Sequence, residues 1–146
     1  MDSPEPALTA VVDTNVVAYY VLQTEPYVNA ATRFLAQGVS LLAPATWESE
    51  LANVVWFAVR KGVLQAEEGL GRLHSAGDLA IEGVAVHELC LGALKRSLES
   101  GVAVYDTLFV ELAHQRQVPL VTFDQQVLEA FPTIACAPGA LLESSQ

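Results

Sequence analysis

The chain has 146 residues, of which 52% are hydrophobic and 16% charged, so it can bury a sizeable core without disulfide or metal staples. Seven Lys and Arg residues against seventeen Asp and Glu residues give a formal net charge of −10, which argues against non-specific attraction to nucleic acid or to an anionic membrane. No signal-peptide pattern precedes Leu8, and no later apolar run is long enough to span a bilayer. We therefore expect a single cytoplasmic domain over residues 1–146, with loose termini at 1–7 and 138–146 and no membrane association.

Short apolar runs bounded by turn residues predict strands, and apolar residues at helical spacing predict helices. In chain order we predict a strand at Ala10–Val12, helices at Val16–Gln23 and Pro26–Ala36, a strand at Val39–Ala43, helices at Trp47–Lys61 and Gln65–Ala76, a strand at Leu79–Ala85, a helix at Glu88–Ser100, a helix from Tyr105, a strand at Val118–Thr122, a helix at Asp124–Ala130 and a strand at Thr133–Cys136. Strands that alternate with helices predict a three-layer α/β/α fold with a central, mainly parallel sheet.

Acidic residues stand at three similar junctions of this pattern. Asp13 follows the first predicted strand, Asp124 follows the strand at 118–122, and Asp106 opens a helix just after the apolar run Val102–Val104. Each acid alone is more simply explained as a helix N-cap. In a parallel sheet, however, the carboxyl ends of the strands meet at one edge, where ligand sites form. The three junctions together therefore indicate a shared acidic cleft.

The long helix at 47–61 offers a fourth acid. Helical phase places Glu50 in line with Trp47, Val54 and Phe57, whereas Glu48 borders a different part of the apolar surface. This favours Glu50 over Glu48, although a solvated acid that interacts with the helix macrodipole explains either one.

A cluster of such carboxylates restricts the chemistry. Two carboxylates about 5 Å apart repel by roughly 3 kcal/mol at an effective dielectric constant of 20, so several cannot stay ionised together without a cation. Carboxylate oxygens without Cys or His nearby suit Mg²⁺ or Mn²⁺. Such ions can activate a water molecule for displacement at phosphorus. Polar neighbours that could orient the ligands or a bound water are Thr14, Asn15, Asn53, Thr107 and Thr122.

Four segments of the chain resemble the acidic motifs of PIN-domain ribonucleases, in particular the VapC toxins of toxin–antitoxin pairs. They are Val12–Val16, Glu50–Asn53, Tyr105–Ala113 and Leu120–Leu128, and they occur in the order typical of that family. The resemblance runs from Val11 to about Leu128, which is most of the chain.

The resemblance implies a magnesium or manganese site formed by Asp13, Glu50, Asp106 and Asp124 that hydrolyses RNA phosphodiester bonds, leaving a 3′-hydroxyl and a 5′-phosphate. Asp13 and Asp106 would be the most direct ligands, and Glu50 and Asp124 would bind partly through water. A metal-bound water would be the nucleophile. A small antitoxin protein and a homodimer are also typical of VapC proteins.

Two other functions stay open. An acid-site phosphohydrolase of the haloacid dehalogenase type resembles Asp-x-Asp at its first strand, but the third position here is Asn15. A non-catalytic PIN-like module that binds a basic or disordered protein partner fits the acidic charge, and it would bind metal without turnover. RNA-binding residues are not assigned: the basic pairs Arg60–Lys61 and Lys95–Arg96 are equally explained as helix ends, and Tyr19, Tyr20, Tyr27 and Trp56 as core aromatics.

Overall fold

The computed structural model describes residues 8–144 and contains a five-stranded sheet in which every strand pair is parallel. In chain order the strands are β1 (Thr9–Val12), β2 (Ser40–Pro44), β3 (Glu82–Val84), β4 (Leu120–Val121) and β5 (Ala135–Cys136). Across the sheet the order is β3-β2-β1-β4-β5, so the first strand of the chain is central. Because all strands run in the same direction, their carboxyl ends lie along one edge.

Eight α-helices are found in the described part of the chain. They are α1 (Thr14–Leu22), α2 (Val28–Leu35), α3 (Trp47–Arg60), α4 (Ala66–Ala76), α5 (Cys90–Ser100), α6 (Val104–Arg116), α7 (Gln125–Ala130) and α8 (Pro138–Ser144). α6 packs against α5 and against strands β1 and β2, while α1 packs against α2, α3 and α4. Within residues 8–144, none of the helices combines the length and apolar character needed to cross a membrane.

The central strand shows why the sheet is covered on both faces. Successive side chains of a strand point to opposite faces, yet Ala10, Val11 and Val12 are all at most 1% exposed. Helices supply the large side chains that cover them, including the fully buried Phe34, Leu51 and Phe109. A strand buried on both faces is expected to be a continuous apolar run, as β1 is. The predicted three-layer α/β/α architecture with a parallel sheet is therefore confirmed.

Two parts of the fold differ from what the sequence pattern indicates. The run Val102–Val104 resembles the end of a strand, but residues 101–103 lie outside any strand and α6 already begins at Val104. Asp106 is thus carried by the first turn of a helix. The strand expected at Leu79–Ala85 is shorter, because a 3₁₀ turn occupies residues 77–79 and only Glu82–Val84 pair with β2.

The carboxyl-terminal tail also differs from the expectation. Residues 138–144 were expected to be loose, but they form α8, which packs against α2 and buries Leu141. Pro138 is the first residue of this helix, a position where its fixed φ angle and missing N–H are tolerated. The expected loose segment at 1–7 lies outside the described residues.

Candidate active site

The site is built around the end of the central strand. Asp13 follows β1 directly and is 7% exposed, and its backbone N–H donates to the carbonyl of Val121 at the end of β4 (2.9 Å). Although Asp13 occupies the N-cap position of α1, its side chain makes no capping hydrogen bond. The backbone N–H of Asn15 does lower the pKa of Asp13, so any capping contribution of this carboxylate is weak.

A single hydroxyl on the neighbouring strand end organises the residues around Asp13. Thr122 Oγ1 donates to Oδ2 of Asp13 (2.8 Å) and accepts from the backbone N–H of Asp124 (3.0 Å) and from Nδ2 of Asn15 (3.3 Å). The amide oxygen of Asn15 in turn accepts from the backbone N–H of Phe123 (3.3 Å). These bonds fix the ends of β1 and β4 to each other and hold Asp13 in one orientation.

Glu50 reaches the same region from the first turn of α3. Its Oε2 accepts from the hydroxyl of Thr14 (2.8 Å), which begins α1, and its Oε1 accepts from the hydroxyl of Thr46 (3.3 Å). Glu48 is exposed on another side of the same helix. The structure thus places Glu50, and not Glu48, next to the end of β1.

Asp106 and Asp124 complete the acidic group from α6 and α7. Asp106 is only half-buried, in the first turn of α6. Asp124 is the N-cap of α7, where its Oδ1 accepts from the backbone N–H groups of Gln126 (2.9 Å) and Val127 (3.3 Å). Asp124 therefore has the helix-capping role that was the simpler explanation from the sequence, at a position that also borders the site.

The electrostatics of the site tie the four carboxylates together. Burial, with smaller contributions from the negative charges of Asp106 and Glu50, raises the pKa of Asp13 to about 6 despite the Thr122 hydrogen bond. Burial likewise raises the pKa of Glu50 and of Asp106, with contributions from Asp106 and Asp124 respectively. The two ion pairs found among the described residues, Arg72–Glu68 and Arg96–Glu111, involve none of these acids. The acidic group thus carries repulsion that no basic side chain offsets.

Whether these residues suit a metal ion depends on both arrangement and chemistry. No group of three or more His, Cys, Asp or Glu side chains in residues 8–144 is close enough together to form a ready coordination shell. The donors are nevertheless carboxylate and hydroxyl oxygens, which are the ligands of Mg²⁺ and Mn²⁺. Burial is the main cause of the raised pKa of Asp13, and a divalent cation would favour the ionised carboxylate there. The residues therefore fit a hard divalent cation by chemistry and charge.

The model of the PIN domain family matches residues 10–132, which contain β1 from Ala10 onward and every acid described above. The chain belongs to the PIN-domain family. The resemblance recognised from the four acidic motifs is thereby confirmed.

One relative and two solved structures are similar to most of the chain. Ribonuclease VapC3 of Pyrobaculum aerophilum is 30% identical over 127 residues, which cover 85% of this chain and 95% of that protein. The crystal structure of PAE2754 from Pyrobaculum aerophilum has a TM-score of 0.70 at 19% identity and covers 97% of this chain and 100% of its own. VapBC2 from Rickettsia felis, bound to a DNA fragment from their promoter, gives a TM-score of 0.63 at 16% identity, covering 89% and 98%. At these identities the two structures support the fold alone.

Of the polar residues predicted to support the site of this PIN domain, three hydrogen bond within it and two do not. Thr14, Asn15 and Thr122 all hydrogen bond within it, as described above. Asn53 is exposed on α3 and makes no hydrogen bond to the site in the described part of the chain. Thr107, also considered from the sequence, is directed elsewhere: its hydroxyl lies 2.8 Å from that of Ser97 and donates to a carbonyl of α5.

Sequence reasoning missed two features of the site. The first is the side chain of Thr46, which makes no capping bond at the start of α3 and instead donates to Glu50, four residues later on the same face. The four-residue spacing of Thr46 and Glu50 in the sequence could have indicated this contact, because residues four apart are neighbours on a helix. The second feature is a group of aromatic rings next to Asp124, whose members come from separate elements and share no spacing in the sequence.

Proposed function

We propose that this PIN domain is a metal-dependent endoribonuclease that hydrolyses RNA phosphodiester bonds and serves as the toxin of a toxin–antitoxin pair. The observation that carries the proposal is the buried Asp13, held by Thr122 at the carboxyl end of the central strand and surrounded by further carboxylates without a basic partner. Such an arrangement costs stability unless a cation binds, which is typical of a functional site rather than of a structural one.

The proposed roles of the acids follow their positions. Asp13 and Asp106 would bind Mg²⁺ or Mn²⁺ directly, with Glu50 and Asp124 contributing partly through water. When bound, the ion would supply an activated water and stabilise the negative charge that develops on the phosphate oxygens. The hydroxyls of Thr14 and Thr122 would orient Glu50 and Asp13, as their 2.8 Å hydrogen bonds already do.

Asn15 and Asn53 have proposed supporting roles at the site. The amide of Asn15 links Thr122 to the backbone of Phe123, so it would keep the strand ends fixed while a substrate binds. Asn53 lies exposed on α3, three residues after Glu50, and would orient water or substrate at the rim. Neither residue needs to contact the ion in this scheme.

A small antitoxin is the proposed protein partner, and an apolar groove between α3 and α4 is its proposed binding surface. The groove has a volume of about 370 Å³ and is lined by Ala52, Val55, Trp56, Val59, Ala66, Gly69, Leu70 and Leu73. Trp56, Phe57 and Leu70 on these helices are between 47% and 72% exposed. Large apolar side chains exposed together in this way are typical of a surface that binds another protein. We further propose a homodimer, as the resemblance to VapC proteins implies.

The deciding experiment compares the wild type with Asp13→Asn on total RNA and on a panel of structured RNAs. Each protein is incubated with Mn²⁺, with Mg²⁺ or with excess EDTA, and the new RNA ends are mapped. We expect metal-dependent cleavage that leaves 5′-phosphates with the wild type alone. Identical behaviour of the two proteins under all three conditions would contradict the catalytic proposal, because the variant controls for contaminating ribonuclease.

The acidic surface supports one alternative function, a PIN-like module that binds a basic or disordered protein without catalysis. A formal net charge of −10 favours a basic partner over RNA. This module would bind Mn²⁺ without cleaving any RNA, and substitutions on its surface would abolish partner binding. Isothermal titration with Mn²⁺ alongside the cleavage assay separates the two functions.

A further inference from the structure

We propose that Tyr19, Tyr27 and Phe123 form a stacking platform that binds an unpaired RNA base next to the four carboxylates. The inference rests on the proposed function, since it names how the substrate of that site is held. It assigns a binding role to aromatic side chains, two of which, Tyr19 and Tyr27, lie outside the four acidic motifs.

The three rings form a continuous cluster. The rings of Tyr19 and Tyr27 stack with their centroids 4.4 Å apart and an angle of 14° between their planes. Phe123 is tilted against both, with its centroid 5.5 Å from that of Tyr19 and 5.1 Å from that of Tyr27. Tyr27 is 37% exposed, so part of the cluster is open to solvent.

The cluster is attached directly to the acidic site. Phe123 lies between Thr122, which donates to Asp13, and Asp124, and its backbone N–H donates to Asn15 (3.3 Å). The pKa of Tyr19 is raised by burial and by the nearby Tyr27, Asp124 and Asp13. A base stacked on these rings would therefore place its own phosphate close to the carboxylates.

The charge of the chain gives a reason for stacking. Phosphate contacts need free cations, but the chain has only seven Lys and Arg residues. Three of these already have partners: Arg96 pairs with the buried Glu111, Arg72 pairs with Glu68, and Arg60 lies over the ring of Trp56. Stacking on aromatic rings needs no cation at the contact itself and tolerates any base sequence. It is thus the kind of contact by which an acidic nuclease could hold single-stranded RNA.

A purely structural role for the rings would be to pack α1 against α2. The test must therefore measure something that packing alone would not change. Tyr27 is the residue to vary because it is the exposed member of the cluster and because it precedes α2 at its N-cap. Tyr27→Ala removes the ring and Tyr27→Phe keeps it. Leu91→Ala, which removes an exposed apolar side chain of α5 outside the cluster and outside the proposed site, is the control.

The first measurement is the cleavage of a short single-stranded RNA that contains a site mapped in total RNA. We expect Tyr27→Ala to raise KM about tenfold, a typical effect of losing one stacked base, with little change in kcat. Tyr27→Phe and Leu91→Ala should behave like the wild type. When single bases near the cleaved phosphate are replaced by abasic sites, one replacement should raise the KM of the wild type but not that of Tyr27→Ala. An unchanged KM for Tyr27→Ala, or an equal penalty at every abasic position in both proteins, would overturn the proposal.

The second measurement needs no turnover. Asp13→Asn, with and without Tyr27→Ala, is titrated with hexanucleotides that are randomised except for one 2-aminopurine, whose fluorescence is quenched by stacking. Quenching that depends on Tyr27 supports the platform even if the wild type cleaves nothing, in which case only the catalytic proposal fails. Absence of quenching with a wild type that cleaves RNA would overturn the platform and leave the nuclease standing. Absence of both would reject both proposals.

Discussion

The hydroxyl of Thr122 donates a 2.8 Å hydrogen bond to Oδ2 of Asp13, across the ends of two adjacent parallel strands. A hydroxyl has one proton to donate, and here it goes to the most buried carboxylate of the site. Its oxygen accepts from the backbone of Asp124 and from the Asn15 amide, so the direction of the bond to Asp13 is fixed. Thr122 thus stabilises the ionised form of Asp13 in a place where burial opposes it.

Thr122→Val tests this relationship, because valine keeps the shape of threonine and removes the hydrogen bond. Without it the pKa of Asp13 should rise above its value of about 6. A hydrogen bond to a charged group contributes about 1.5 kcal/mol or more, so the acidic limb of the pH–rate profile should move up by about one pH unit. Thr122→Ser keeps the hydroxyl and should leave the limb in place. A limb that does not move in Thr122→Val would show that this bond does not control the ionisation of Asp13.

The raised pKa of Asp13 also predicts how stability depends on pH in the absence of metal. Asp13 takes up a proton near pH 6 when folded and near pH 3.8 when unfolded, so the folded state holds the extra proton between these values. The free energy of unfolding should therefore fall as pH rises from about 4 to about 6, by roughly 3 kcal/mol for a shift of about two units, and stay lower above that range.

The Asp13→Asn variant cannot ionise at this position, so its free energy of unfolding should not show this fall with pH. We expect the variant to exceed the wild type in the free energy of unfolding at pH 7, with the difference disappearing below pH 4. Urea denaturation at several pH values in EDTA measures it. Millimolar Mg²⁺ should then stabilise the wild type more than the variant. Equal stability of the two proteins at pH 7 in EDTA would mean that ionisation of the buried Asp13 carboxylate does not destabilise the folded state.

The chain offers a matched pair for testing the acid on α3. Glu50→Gln removes the charge next to Thr14, whereas Glu48→Gln removes a charge two residues away that is exposed to solvent. We expect Glu50→Gln to lower kcat by at least about tenfold and to weaken Mn²⁺ binding, since loss of a ligand or of its support typically costs 10- to 100-fold. Glu48→Gln should retain both properties. If both variants lose activity equally, a general effect of helix charge would explain the result better than a role at the site.

How far the sequence predicts this site depends on how local each signal is. Asp13 was recognisable because the hydrophobic period changes from strand to helix at that residue, and Glu50 because the helical phase of α3 separates it from Glu48. Asp106 was selected because it opens a helix just after an apolar run, like the acids that follow strands. That run is not a strand, and the residue reaches the site because α6 packs across β1 and β2.

Features that depend on tertiary packing could not be predicted. The Tyr19–Tyr27–Phe123 cluster joins α1, the start of α2 and the end of β4, and no periodicity relates these positions. The helix at 138–144 begins with Pro and Gly, which indicate a loop when the contact with α2 is unknown.

The packing of α5 on α6 supports the last prediction. Glu111 is 9% exposed, and its carboxylate is held by Arg96 (3.0 Å) and by Gln115 (2.8 Å) directly over Gly92. A Cβ atom at position 92 would lie 2.5 Å from Oε1 of Glu111, so one of the two must move. Gly92→Ala should therefore lower the free energy of unfolding by about 3 kcal/mol, through overpacking and through a disturbed buried ion pair.

Gly71→Ala is the matched control, because it lies in α4 with no atom within 4 Å of its added Cβ. There the better helix propensity of alanine should raise the free energy of unfolding by up to about 1 kcal/mol. A double-mutant cycle identifies the cause: if the clash with the carboxylate is responsible, Gly92→Ala should cost much less in a Glu111→Ala background than in the wild type. Urea denaturation of the four proteins of the cycle and of Gly71→Ala gives these values. An equal cost of Gly92→Ala in both backgrounds would show that the glycine is needed for another reason than to make room for Glu111.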